Sequence, residues 1–178
     1  MALRVIAALA AVLLLSPLGS AAGEAPPTWV PIQIKRLVIV DDAPAVLLMD
    51  EAESRYLLVF VDAFMAGAIQ AGIQAPVLER PLTHDLMGIF LRRFHAKLDK
   101  VTVTKVKDSI YYAFITLTVN GKVEDIDARP SDAFALAVRE KAPIFAAPAL
   151  LRSVEARQPR GPAPPHGAPE AAAPRTRM

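Results

Sequence analysis

"IDARPSDAFALAV", residues 126–138, changes character at its centre: two aspartates, an arginine, a proline and a serine give way to an apolar run. "KVEDID" before it reads as a polar strand, and "DAFALAVREKA" after it reads as a helix capped by Ser131, with Asp132 in its first turn. Pro130 holds Arg129 in extended backbone, which separates the two elements. One capping residue would start this helix, yet Asp127, Arg129, Ser131 and Asp132 crowd into six positions. "ERPLTHDLMGIF" (79–90) has the same make-up, with Arg80, Pro81, Thr83, His84 and Asp85 ahead of an apolar run. Thr83 reads as its cap and Asp85 as its dipole partner.

Outward from these starts, the patterns separate into strands and helices. "WVPIQIKRLVIV" (29–40) alternates as a strand, "DDAP" turns, and "AVLLMD" and "RYLLVFV" form an apolar hairpin around "EAES". Asp62 caps a small-residue helix over 62–73, whose Ala and Gly suit close approach to a sheet. In the helix after Thr83, Leu86, Ile89, Phe90 and Phe94 fall at i, i+3, i+4 and i+8, which predicts a core-facing stripe. "KVTVTKV" and "IYYAFITLTV" flank "KDS" as a second hairpin, and Asn120-Gly121 marks a tight turn. Pro143 stops the last helix and "PIFAAPALL" closes the domain. The expected fold is α+β, a mixed, largely antiparallel sheet of about six or seven strands with three or four helices.

The ends are of another kind. "MALR", the apolar "VIAALAAVLLL" and small Ser20 and Ala22 read as a cleaved export signal over 1–22, an uncleaved anchor being the alternative. The apolar run is short of the roughly 20 residues a bilayer span needs, so no stable membrane span is expected after cleavage. The mature chain is then periplasmic or secreted, and with no cysteine it relies on hydrophobic burial. Residues 152–178, rich in Pro, Ala and Arg, read as a disordered tail. One domain over 28–151 remains. From Gly23 to Leu151, removing Arg4 and the five arginines after Leu151 leaves 14 Lys+Arg, and removing Glu155 and Glu170 leaves 16 Asp+Glu, a balance near −2. Bulk electrostatic gripping of nucleic acid is therefore not expected, and any such role must rest on a local site.

No Gly-rich phosphate loop, His-Glu-x-x-His, cysteine metal set or nucleophile elbow is present. The chemistry must come from the two helix starts and "VEDID". Asp125 and Asp127, two apart in a strand, share a face. Together with Asp132 they offer hard oxygen ligands for Mg²⁺ or Mn²⁺, of the kind phosphoryl hydrolysis uses. His84 suits proton transfer, with Asp85, Asp127 and Asp132 as the other candidate catalytic groups. Arg80 and Arg129, with Thr83 and Ser131, could hold a phosphate. Spacing alone favours the structural account, in which these residues are caps, dipole partners and loop-to-helix ion pairs.

"RPLTHDLM", "VTVTKVKDSIYYAFITL" and "IDARPSDAFALAVREKAPIF" resemble the bifunctional nuclease domain family over about residues 32–147. The resemblance implies an α+β fold and, from the plant members, cleavage of both DNA and RNA. It maps onto Arg80, Pro81, Thr83, His84, Asp85, Asp127, Arg129, Pro130, Ser131 and Asp132 of this chain. One segment departs: where the family has an Ile-Gly-x-x-Glu-Ala pattern, "VDAFMA" carries Asp62 for the glycine and Met65 for the glutamate. The expectation is a metal-assisted nuclease-like phosphodiesterase. The alternative is a non-catalytic envelope module that binds a partner through the same surface, and a homo-oligomer is open to either.

Overall fold

The computed structural model describes residues 28–154. The elements run β1 (Val30–Val40), β2 (Ala43–Asp50), β3 (Arg55–Phe60), α1 (Ala63–Gln74), α2 (Thr83–Arg93), β4 (Ala96–Lys107), β5 (Ile110–Val119), β6 (Lys122–Ala128), α3 (Pro130–Glu140), β7 (Ile144–Ala146), a 3-10 turn (Pro148–Leu150) and β8 (Arg152–Ser153). Three two-residue turns, Asp41-Asp42, Asp108-Ser109 and Asn120-Gly121, have both residues at positive φ. That geometry matches the right-handed strand twist, so hairpin register is set locally.

All eight strands join one mixed sheet in the order β6-β5-β4-β7-β1-β2-β3-β8, antiparallel throughout except β4 with β7. It consists of two three-stranded meanders stitched by three residues. Ile144–Ala146 pair antiparallel to β1 and parallel to β4, and can do so only after α3 has carried the chain back across the sheet. The α+β expectation holds, with eight strands and three helices. The short β7 and β8 carry too few residues for an alternating signal. Arg152 and Ser153, expected to open the disordered tail, instead extend the sheet by pairing with Tyr56 and Arg55. The export signal and the rest of the tail lie outside the described residues. Among those described, no helix is long and apolar enough to cross a membrane.

The core lies between the sheet and the helices, with Val46, Leu48, Leu57, Ile69, Val101, Val103 and Phe134 fully buried. Each contributes about 1.5–3 kcal/mol by leaving water. The central helix is α3, buried at Pro130 and from Ala133 to Ala137 and flanked by α1 and α2. Two glycines let the neighbours in. A Cβ on Gly72 of α1 would meet Val138 and Arg139 side-chain atoms at 2.5 Å, and one on Gly88 of α2 would collide with Glu140. The small residues of α1 thus serve helix–helix contact with α3.

This close approach turns α2 the other way from expectation. Its inward face is His84, Gly88 and half-buried Leu91, while Leu86, Ile89, Phe90 and Phe94 point outward and are exposed. The apolar period was real, but tight packing against α3 needs a glycine, and the glycine lies on the opposite side. The caps differ as well. Asp62 caps α1 as expected, accepting the Met65 N–H at 2.8 Å. By contrast Leu82 and Arg129 occupy the N-cap positions of α2 and α3, so Thr83 and Ser131 sit inside their helices.

The β2–β3 turn is held by a buried carboxylate. Asp50 accepts from the Ser54 and Arg55 N–H groups at 2.9 and 3.0 Å, and from Ser54 Oγ and Arg55 Nε at 3.1 and 2.9 Å. Bonds from Arg55, backbone and then side chain, pull its pKa down to about 2. A depressed folded pKa stabilises above the unfolded carboxylate range and is lost as pH falls toward 2. Asp50→Asn should therefore lower Tm at neutral pH and flatten the loss of Tm between pH 4 and 2. Calorimetry across that range checks it, and an unchanged acid limb would refute it.

Candidate active-site cleft

The two polar helix starts meet. His84, in the first turn of α2, is buried with 4% of its surface exposed. Its Nε2 lies 3.5 Å from Oδ1 of Asp132 in the first turn of α3. Asp132 also takes a two-pronged bond from Arg129, Nε at 2.6 Å and Nη2 at 3.2 Å. One carboxylate thus joins a guanidinium on its open side to an imidazole on its closed side. Beside Asp132 the guanidinium is held more firmly in its charged form. Two of its five donors are engaged, and the side chain is 67% exposed, so three remain for an anion.

The cleft around them encloses about 680 Å³ and is lined by Asp62, Met65, Thr83, Met87, Ile115 and Ile126 besides His84, Arg129 and Asp132. Thr83 therefore reaches the cleft without capping the helix. Met65 stands on the cleft wall at the position where the sequence departs from its resemblance. Asp62, at the cleft edge while capping α1, adds negative potential beside Arg129.

Asp85, Asp125, Arg80 and Ser131 are placed elsewhere, and Asp127 only borders the cleft. Asp85 is turned away from the cleft round α2 toward α3, where Oδ1 accepts from Arg139 Nε and Oδ2 from the Leu82 N–H at 2.9 Å. Arg139, leading, and Leu82 lower its pKa despite partial burial. Asp125 and Asp127 do share a face, but it is the wrong one. Ile115 and Ile126 are paired across β5 and β6 and line the cleft, so alternation sends the aspartates to the far side of the sheet. There Asp125 accepts from Thr116 Oγ1 at 2.5 Å. Asp127 borders the cleft only where β6 ends. Arg80 is exposed and Ser131 half-buried, and neither lines the cleft.

The residues present do not fit the expected three-carboxylate metal site. Among the described residues no three His, Cys, Asp or Glu side chains converge as ligands. Asp125 lies on the far side of the sheet and Asp127 reaches the cleft only at the end of β6, so neither joins Asp132 in a ligand set.

Sequence reasoning passed over Arg139. Its side chain, 8% exposed, bonds Asp85, the Ala68 carbonyl of α1 at 3.0 Å and the Ala135 carbonyl of its own helix at 2.7 Å. It ties all three helices together, and so fixes the distance between His84 and Asp132. The available signal was a single cation closing the apolar run "AFALAV".

Comparison with known proteins agrees with this architecture. Residues 46–159 match the family model described as "Bifunctional nuclease domain". Two relatives from Mycobacterium tuberculosis, "Uncharacterized protein MT1877" of strain CDC 1551 / Oshkosh and "Uncharacterized protein Rv1829" of strain ATCC 25618 / H37Rv, are each 34% identical over 111 residues. The aligned stretch is 61% of this chain and 64% of each relative, so the chain spans somewhat under two thirds of their length. The match takes in both helix starts that build the cleft, and the chain belongs to the bifunctional nuclease domain family.

Proposed function

We propose that the cleft hydrolyses phosphodiesters of DNA or RNA, with His84 as proton carrier. The observation that supports this is the linked arrangement Arg129–Asp132–His84 within one cleft. In this reading the free donors of Arg129 hold a phosphate oxygen and stabilise charge as water adds to phosphorus. His84 takes the proton of that water and returns it to the ester oxygen as the P–O bond breaks. Asp132 is a positioning residue: it orients the imidazole and stabilises the imidazolium. Thr83 lines the substrate side. Because the carboxylates do not form a metal cage, no step is routed through a metal.

The near-neutral charge of the domain implies that nucleic acid is gripped locally at Arg129. The test is cleavage of labelled single- and double-stranded DNA and RNA by the purified protein, with Mg²⁺, Mn²⁺ or EDTA. Product formation that survives EDTA is the expected result. Product formed only with metal would retain the activity but move the proton-transfer account to a metal-bound water. No product on any substrate would leave the second reading, a binding module using the same cleft. That reading has one observation in its favour, a methionine on the cleft wall where the family pattern has a glutamate.

We place the mature protein outside the cytoplasm on the strength of residues 1–22. N-terminal sequencing of protein from the native host should read from near Gly23; an intact Met1 would overturn this.

A further inference from the structure

We propose that the outward face of α2 is the contact surface of a homodimer, two copies packing this helix against itself in antiparallel sense. The proposal does not depend on the nuclease reading. The starting point is the reversed amphipathicity of α2. Leu82, Leu86, Ile89, Phe90 and Phe94 are between 41% and 67% exposed and lie opposite the buried His84–Gly88–Leu91 face. Phe64 of α1, 78% exposed, adjoins them across the α1–α2 cavity that Leu82 also lines. The Phe90 and Phe94 rings pack against each other in a tilted arrangement, their centroids 6.3 Å apart. An open aromatic presents on the order of 200 Å², and these six side chains together leave on the order of 600 Å². Val77 and Leu78 of the connector, also exposed, widen the patch toward the roughly 800 Å² per partner of a standard interface. Lone monomers rarely leave that much contiguous apolar surface open.

Charge selects a second copy as the occupant. The acidic residues Glu79 and Asp85 lie at the start of α2 and Arg92 and Arg93 at its end. Glu79 and Arg93 have no ion-pair partner among the described residues. About a two-fold axis at Leu86, Leu86 of one copy meets Leu86 of the other, Leu82 meets Phe90, and Leu78 meets Phe94. Each Arg93 then approaches the other copy's Glu79, and the two helix dipoles oppose. A membrane-surface helix would instead carry Lys and Arg along its polar flanks. Because Leu82, Thr83 and His84 share the α1–α2 cavity, the second copy would also wall the entrance beside His84.

Sedimentation equilibrium of the full chain across the micromolar range tests this. The wild type should be dimeric, and Phe90→Asp and Leu86→Asp should each weaken association by about 30-fold or more, as for a central hot spot. Both positions are open to solvent, so circular dichroism and Tm should confirm an intact fold. Glu79→Arg should weaken the dimer, and adding Arg93→Glu should restore it. A monomeric wild type would overturn the proposal, and so would a dimer indifferent to both aspartates. A monomer that floats with phosphatidylglycerol vesicles would overturn it in favour of a membrane-facing helix.

Discussion

His84→Gln is expected to lower kcat for phosphodiester hydrolysis by about 10²–10⁴-fold, the range for removing a positioned proton carrier. Glutamine is the informative replacement because it nearly fills the space of the buried imidazole and can still donate to Asp132. The fold should survive with little change in Tm, whereas the proton shuttle is gone. Asp132→Asn tests a different link. It leaves the imidazole in place but removes the charge that orients it and that pairs with Arg129. Its kcat should also fall, and Asp132→Glu should recover part of it by restoring a carboxylate. Arg129→Ala should act mainly through KM, since three of the guanidinium donors are free to bind phosphate. Steady-state kinetics on one oligonucleotide separates these outcomes. A His84→Gln enzyme as fast as wild type would remove the imidazole from the mechanism, whatever the other variants did.

Much of this site was legible in the sequence because its parts are local. The crowding of charged residues at 80–85 and 127–132 marked two helix starts, and the structure joins them through His84 and Asp132. Strand alternation also put Asp125 and Asp127 on one face correctly. Which face that is depends on whether Ile115 and Ile126 look toward the helices, and this is decided by packing some residues away. The α2 stripe failed for a similar reason. Its period identifies a helix and an apolar side, but whether that side meets this chain's core or something else depends on Gly88 against Glu140. Arg139 was hidden because its three partners come from three helices, at separations of 4, 54 and 71 residues.

The Asp85–Arg139 pair should be the most sensitive polar point of the fold, and its two halves should respond unequally. Arg139 carries a guanidinium that is nine-tenths buried. Asp85→Ala therefore strands a cation with only two carbonyls, a loss of about 3–5 kcal/mol by the usual cost of an orphaned buried charge. Arg139→Met leaves Asp85, which is about one-third open to water and keeps the Leu82 N–H, so it can rehydrate. Its cost should be smaller, about 1–3 kcal/mol, mostly from the Ala68 carbonyl and lost packing. The double variant Asp85→Ala/Arg139→Met should then be more stable than Asp85→Ala alone, because the stranded charge has gone. Urea unfolding of the three variants gives the coupling directly. The same pair has a pH signature. The folded pKa of Asp85 is lowered, chiefly by Arg139, so its contribution is present above the unfolded carboxylate range and lost as pH falls below it. That acid-side loss should shrink in Arg139→Met, where the Leu82 N–H still favours the carboxylate. Equal destabilisation by the two single substitutions, with no relief in the double, would mean that the carboxylate and not the buried cation carries the penalty, and that the tie between the three helices rests on packing alone.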